Sequence, residues 1–339
     1  MPADFSNSNY DAILLVSFGG PEGMDDVMPF LENVLEGRNV PRERMLEVAK
    51  HYELFGGVSP INQNNRDLIS ALKRELDTNG PQLPIYFGNR NWHPLLADTI
   101  ATMVDDGVET ALAFVTSAYS SYSSCRQYLE NIAEARKAVG PAAPQIEKLR
   151  AFFNHPGFIE ANVEQIRKEL ESFTEGERAS AHVVFTAHSI PQSMAQNCDY
   201  EIQLRETSRL IAEELGLNNW ALVFQSRSGS PMQPWLGPDV CDFLKELNGR
   251  GVRNVVVAPI GFISDHMEVM YDLDLEAREL CEQMGLNMRR AATAGTHPAF
   301  IKMIRELIME RVDPATPKRF LGALGVAKDS CEPGCCRLR

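Results

Sequence analysis

Two spacing patterns take turns along this chain: short unbroken apolar runs, and longer stretches whose apolar positions recur every three or four residues. The apolar runs cover residues 12–18, 84–89, 110–115, 182–187, 220–224 and 254–260. They lack polar alternation, which fits strands buried on both faces. Helical periodicity marks 64–76, 94–106, 128–139, 158–173, 199–215 and 238–248. Strand and helix in succession predict an α/β fold of Rossmann-like, doubly wound parallel sheets with helices on both faces. The Pro- and Ala-rich segment 140–150 reads as a hinge, so two such lobes are expected to face each other across a cleft. The expected division is 8–150, 151–312 and a tail, 313–339, that holds Pro, Gly and Cys in place of helical periodicity.

A length of 339 residues suits two medium domains. The 46 acidic against 33 basic side chains leave a net charge of -13, which argues against nucleic acid as a partner. An anionic substrate would need local Arg or Lys set against that field. The first ten residues are polar and do not form a signal peptide, and the longest apolar stretch, around 255–263, is too short to span a bilayer. A cytoplasmic monomer is the expectation. Seven cysteines, an odd number, argue for metal or redox use of some of them rather than a disulfide framework.

Ligands of doubly wound sheets bind beyond the carboxyl ends of the strands, and two such ends are chemically loaded. The first closes on His188, with Pro191 turning the chain away; a lone histidine there is more often structural. The second runs from Val255 into Asp265, His266 and Glu268, with Asp272 and Glu276 following at steps of four. On a helix, Glu268, Asp272 and Glu276 form one acidic stripe. Such a stripe is usually a solvated face. A line of hard oxygen donors leading to an imidazole is equally a path for a hydrated divalent cation. His188 could act as a base of near-neutral pKa and Glu268 as an opposing carboxylate, facing each other across a flat substrate.

Several motifs in order resemble the ferrochelatase family. They are Ser17-Phe18-Gly19-Gly20-Pro21-Glu22, Phe55-Gly56-Gly57-Val58-Ser59-Pro60-Ile61, Thr186-Ala187-His188-Ser189-Ile190-Pro191, the block from Gln225 to Pro238, and Ile263-Ser264-Asp265-His266-Met267-Glu268. The resemblance implies two chelatase-like lobes with a porphyrin bound in the cleft, bent so that its pyrrole lone pairs tilt toward the metal. It implies His188 and Glu268 flanking the ring centre as the catalytic pair, and Glu268, Asp272 and Glu276 lining an iron route on a helix with a π-type segment. The implied reaction inserts Fe(II) into coproporphyrin III to give coproheme in heme biosynthesis, with two protons released. A heme-pathway enzyme accepting the product is an implied partner. Phe18 stands where some bacterial members carry Tyr, and Cys198 where the family commonly has Gly.

By analogy with bacterial relatives, Phe18, Tyr52, Ser59, Tyr122 and Arg38 are candidate porphyrin contacts. The segment 31–59 reads as charged, without an apolar lip, which favours the four-propionate substrate over protoporphyrin. The tail Cys331-Glu332-Pro333-Gly334-Cys335-Cys336 resembles that of actinobacterial members with a [2Fe–2S] cluster. The resemblance implies Cys331, Cys335 and Cys336 as ligands. The fourth would come from Cys125, Cys198, Cys241 or Cys281, and the setting of Cys125 resembles that of the family's internal cysteine. Zinc or cysteine pairing is the alternative account of the tail. A chelatase for another metal and tetrapyrrole, a protoporphyrin ferrochelatase, and a non-catalytic tetrapyrrole carrier are the competing readings.

Overall fold

A computed structural model describes residues 9–37, 40–228, 232–330, 332 and 334–337. It divides into two compact units. The first comprises Met1–Thr116, Gln127–Leu149 and Ile304–Pro317, and the second Ser117–Arg126, Arg150–Met303 and Lys318–Arg339.

Each unit is built on one four-stranded parallel sheet. In the first unit the strands are β1 (Ala12–Ser17), β2 (Ile85–Asn89), β3 (Thr110–Val115) and β4 (Gln145–Lys148), in the order β2-β1-β3-β4. In the second they are β5 (His182–His188), β6 (Trp220–Gln225), β7 (Asn254–Ala258) and β8 (Asn287–Arg290), in the order β6-β5-β7-β8. The all-parallel pairing needs crossover helices, which cover both faces of each sheet and leave the central strands dry. Every residue of β1 and of β7 is buried. The six apolar runs of the sequence are the six strands other than β4 and β8.

Those two strands reach the sheets without an apolar run. β4 is Gln-Ile-Glu-Lys and β8 is Asn-Met-Arg-Arg, and both lie at sheet edges. An edge strand keeps one side wet, and charged side chains there block pairing with other chains. The segment 140–150 therefore carries a strand where the composition suggested only a hinge. Three long helices, Met24–Val34 with an internal Pro29, the largely exposed Arg42–Glu53 and Pro298–Val312, also escaped the periodicity.

The division differs from a single break near residue 150. The segment 117–126 packs with the second unit, and so does the tail from residue 318. Asn154 donates through Nδ2 to the carbonyls of Leu321 and Gly325 at 3.0 and 2.8 Å, and the Ala323 N–H donates to Glu206 at 3.1 Å. No helix of the described residues is long and apolar enough to cross a membrane.

Candidate active site

The second sheet reverses its strand order between β5 and β7, the position at which doubly wound sheets open a ligand crevice. His188 ends β5, and the chain leaving β7 passes through 259–266 into a helix that begins at Met267. The Gly261 N–H donates to the Thr186 carbonyl at 2.9 Å. A Cβ at Gly261 would lie 2.5 Å from the Ala187 Cα, so only glycine lets this loop close on the end of β5. Gly261→Ala is expected to cost about 1–3 kcal/mol by overpacking and to move the two loops apart; a thermal unfolding scan and the metallation rate should fall together.

The turn after His188 is held from three sides. The Ser189 N–H donates to Gln225 O at 2.8 Å and its Oγ to Leu236 O at 2.7 Å, while the Tyr200 hydroxyl donates to His188 O at 3.0 Å. The His188 Nδ1 lies 2.5 Å from the Ser189 carbonyl, and since a carbonyl only accepts, Nδ1 carries hydrogen. Nε2 is thereby the working nitrogen, and it lies 3.4 Å from Glu268 Oε1. The two side chains are 31% and 45% exposed, so the pair can be reached from outside.

Burial opposes charge on both partners, yet each stabilises the other. The Glu268 carboxylate and the Ser189 carbonyl raise the His188 pKa, and His188 holds Glu268 well below the usual carboxylate range. The resting pair is imidazolium and carboxylate. His266 takes the opposite state: burial lowers its pKa, and its Nδ1 accepts the Glu268 N–H at 3.3 Å, capping the helix and fixing its own neutral tautomer.

Glu268 begins a continuous helix whose segment Met270–Ala277 is of π type, between α-helical Met267–Val269 and Arg278–Met284. The wider π turn makes a four-residue step close to one full turn, so Glu268, Asp272 and Glu276 share a face. Burial, then repulsion from Glu268 and Glu276, raises Asp272 to about 7, although the Ser226 hydroxyl donates to its Oδ2. Gln225 donates through Nε2 to Glu268 O at 3.1 Å and to Asp272 Oδ2 at 3.4 Å. Glu276 is exposed as a residue, and partial desolvation of its carboxyl together with the Asp239 and Glu279 charges raises its pKa. Oxygen donors that repel one another are poised for a cation. Because Asp272 becomes anionic only as pH rises through about 7, the rate at limiting iron should climb across that interval. Asp272→Asn is expected to flatten that limb of the pH profile.

Arg290 gave no signal in the sequence. Its Nη1 and Nη2 donate to Asp265 at 3.0 and 2.9 Å, and its Nε and Nη2 to Asp274 at 2.9 and 3.0 Å. Asp265 is thus committed to Arg290, and the guanidinium ties the loop before Glu268 to the π segment after it. An isolated arginine at the end of a polar edge strand carries no pattern from which this could be foreseen.

The cysteines sort by place. Cys281 is 1% exposed in the apolar core, and Cys241 lies near Asp239 and Glu276. Cys125 is buried in a π turn, Tyr122–Arg126, and Arg126 Nη1 donates to the Cys335 carbonyl at 3.1 Å. Cys336 is buried, and burial with the charges of Cys125, Cys335 and Cys198 pushes its thiol up to about 12. Thiols are the donor chemistry an iron–sulfur cluster requires, and the Arg126 contact brings the turn that holds Cys125 to the tail at Cys335. Cys331 lies outside the described residues, and among the described residues no three His, Cys, Asp or Glu side chains already surround one metal position.

Of the expected porphyrin contacts, Phe18 and Tyr52 belong to the first unit, both edge-on to Phe30 at 6.3 and 5.9 Å between ring centroids. Ser59 is 4% exposed and packed against Gly20, and Tyr122 lies in the π turn of the second unit. Arg38 lies outside the described residues. The segment 31–59 is not free of apolar surface: Leu46, Leu54 and Val58 are exposed beside Met24, Leu54 by 64%. The charged residues between them concealed this, because their helix is nearly all surface.

The Ferrochelatase family model matches residues 10–312. A ferrochelatase of Rhodopirellula baltica is 57% identical over 96% of this chain and 93% of its own length. The coproporphyrin III ferrochelatases of Streptomyces coelicolor and Nocardia farcinica are 49% and 51% identical, covering 100% and 96% of this chain and 96% of each relative. Among solved structures, SirB from Bacillus subtilis with Fe3+ is similar at a TM-score of 0.57 and 13% identity, over 90% of this chain and 96% of that one, a likeness of fold. Sheets of chelatase topology, an imidazole and a carboxylate paired where the second sheet reverses, and a family match along nearly the whole chain lead to one assignment: the chain belongs to the ferrochelatase family of metal-inserting enzymes.

Proposed function

We propose that this chain inserts ferrous iron into coproporphyrin III, forming coproheme and releasing two protons, with His188 and Glu268 as the catalytic pair. The observation that carries the reading is the 3.4 Å contact between His188 Nε2 and Glu268 Oε1 at the switch point of the second sheet. Insertion requires a cation to arrive as two pyrrole N–H protons leave. The resting imidazolium cannot accept a proton. When Fe(II) comes down the stripe from Glu276 and Asp272 to Glu268, its charge competes with His188 for that carboxylate. The support for the raised histidine pKa is thereby withdrawn, and Nε2 releases its proton to solvent and becomes a base for one pyrrole N–H, the second pyrrole proton leaving to solvent. Metal arrival and base activation are then one event. Phe18, Tyr52, Ser59, Tyr122 and Arg38 remain the proposed porphyrin contacts.

The substrate assignment is supported by the two actinobacterial relatives named for coproporphyrin III. A second reading, protoporphyrin IX, is favoured by the exposed Leu46, Leu54 and Val58. Steady-state metallation of both porphyrins decides between them: kcat/KM is expected to be at least tenfold higher for coproporphyrin, and a preference for protoporphyrin would overturn the assignment.

We further propose that Cys125, Cys331, Cys335 and Cys336 hold a [2Fe–2S] cluster. Such a cluster supplies a one-electron couple and a cross-link when bound. The four cysteines would anchor the tail to the π turn, and Arg126 already ties that turn to the Cys335 carbonyl. Visible absorption with iron and sulfide analysis of anaerobically purified protein tests this, and a colourless, zinc-bearing protein would refute it.

A further inference from the structure

We propose that Tyr119 is a positioning residue for metal insertion: its hydroxyl locks the peptide unit between Ile260 and Gly261, and with it the loop that brings Glu268 to His188. The inference rests on the catalytic-pair reading above and adds to it a residue outside that pair. The loop leaving β7 passes so close to the end of β5 that a Cβ at Gly261 would meet the Ala187 Cα, so the position is glycine. A glycine also leaves the adjoining peptide unit freer to rotate, because no side chain restricts its backbone. That unit is held at both ends. Its N–H, on Gly261, donates to the Thr186 carbonyl at 2.9 Å, and its C=O, on Ile260, accepts from the Tyr119 hydroxyl at 2.9 Å. A trans peptide points these two groups in opposite directions, so each bond fixes the plane for the other. Ile260 is 0% exposed, and without the Tyr119 hydroxyl its carbonyl would be a buried acceptor that gains by turning away. Such a turn takes the Gly261 N–H off Thr186 as well.

Tyr119 is itself fixed. It is buried and meets Phe158 and Tyr200 edge-on, at 6.3 and 6.0 Å between ring centroids. Tyr200 donates to the His188 carbonyl at 3.0 Å. One pair of aromatic rings therefore reaches both strand ends, Tyr200 on the His188 side and Tyr119 on the Glu268 side. The next residue, Ser120, is clasped by the buried Gln203, which lies one turn beyond Tyr200 on the helix Tyr200–Leu215. Gln203 Oε1 accepts the Ser120 N–H at 2.7 Å, and its Nε2 donates to the Ser120 Oγ at 3.1 Å. Tyr119 thus references the Glu268 loop to the same helix that holds the His188 turn. The His188–Glu268 contact is 3.4 Å long, and a shift of about 1 Å between reacting groups can cost about 10²-fold in rate.

The test compares full-length wild type with Tyr119→Phe, Gln203→Leu and Thr99→Val, each alone and combined with Glu268→Gln. Tyr119→Phe keeps the ring and deletes one hydroxyl. Thr99→Val is the control, deleting a buried hydroxyl that donates to the Phe87 carbonyl at 2.8 Å in the first unit. Tyr119→Phe should lower kcat by about 10–100-fold while the KM for porphyrin stays within about twofold. Amide hydrogen exchange at Gly261 should quicken by about tenfold, as one buried hydrogen bond is lost. Gln203→Leu, which frees Ser120 and leaves Tyr119 whole, should lower kcat in the same direction. Thr99→Val should lose unfolding temperature with kcat intact. Beside Glu268→Gln, the Tyr119→Phe and Gln203→Leu losses should shrink to about twofold or less, because the pair they position is already broken. If kcat or the Gly261 exchange rate in Tyr119→Phe stays at the wild-type value, if its loss is undiminished beside Glu268→Gln, or if Thr99→Val lowers kcat as far, Tyr119 serves the fold alone. A Glu268→Gln enzyme as fast as wild type removes the catalytic-pair reading itself, a failure distinct from those.

Discussion

Glu268→Gln should lower the metallation rate by about 10²–10⁴-fold, the range over which a positioned proton-transfer group contributes, while the porphyrin still binds. The amide cannot balance the imidazolium or take charge from an arriving cation. Its second effect is on His188. With the carboxylate gone, burial is opposed only by the Ser189 carbonyl and Asp272, and the titration of the imidazole, followed by NMR, should move down from its value well above the ordinary one. His188→Ala should cost a similar factor in rate, and the two losses should not add, because each variant removes the same pair. The raised histidine contributes to stability below its ordinary pKa, and that contribution disappears as pH rises through the folded-state value. The lowered carboxylate contributes above its ordinary pKa and loses its contribution as pH falls through its own folded-state value. The pair is therefore whole across neutral pH and fails at both extremes. Unaltered rates in both variants would leave the chain a binding role only.

Arg290→Ala should be the most damaging substitution that touches neither metal nor porphyrin. It strips one guanidinium from two carboxylates, Asp265 and Asp274, that face it at about 15% residual exposure of the arginine. Removing one partner of such a buried network leaves like charges facing each other, at a cost of about 3 kcal/mol. The damage should fall on geometry as well as stability. Asp265 lies in the loop just before the helix of Glu268 and Asp274 just after Asp272, so the carboxylates of the iron route lose their anchor. Arg290→Lys restores the charge but not the fork that binds both partners at once. It should recover most of the unfolding temperature while the KM for iron stays raised. Equal KM values in wild type and both variants would confine Arg290 to the fold.

His188 and Glu268 were legible because strand-end chemistry is local: each lies just beyond a buried apolar run, and family motifs resembling this chain's cover both. The acidic stripe was legible from its step of four. That Asp272 would be raised to about 7 while Glu268, four residues earlier, is lowered was not. That contrast comes from His188, which reaches Glu268 from the end of another strand, and from the burial of Asp272 between two like charges, against which the Ser226 hydroxyl works. Arg290 was hidden for the same reason, lying on an edge strand with no apolar signature.

The order of apolar runs and helical periods determined the two parallel sheets, since a strand buried on both faces must be apolar throughout and a parallel neighbour must be reached through a helix. The tail's cysteines could be counted but not placed, and only the folded chain set Cys198 with Cys335 and Cys336 on one cavity, tied Arg126 to the Cys335 carbonyl and kept Cys241 and Cys281 elsewhere. Periodicity reports which face of an element is dry, a property of neighbouring residues. Protonation state, ligand set and metal path depend on which distant side chains meet, and that is decided by tertiary structure.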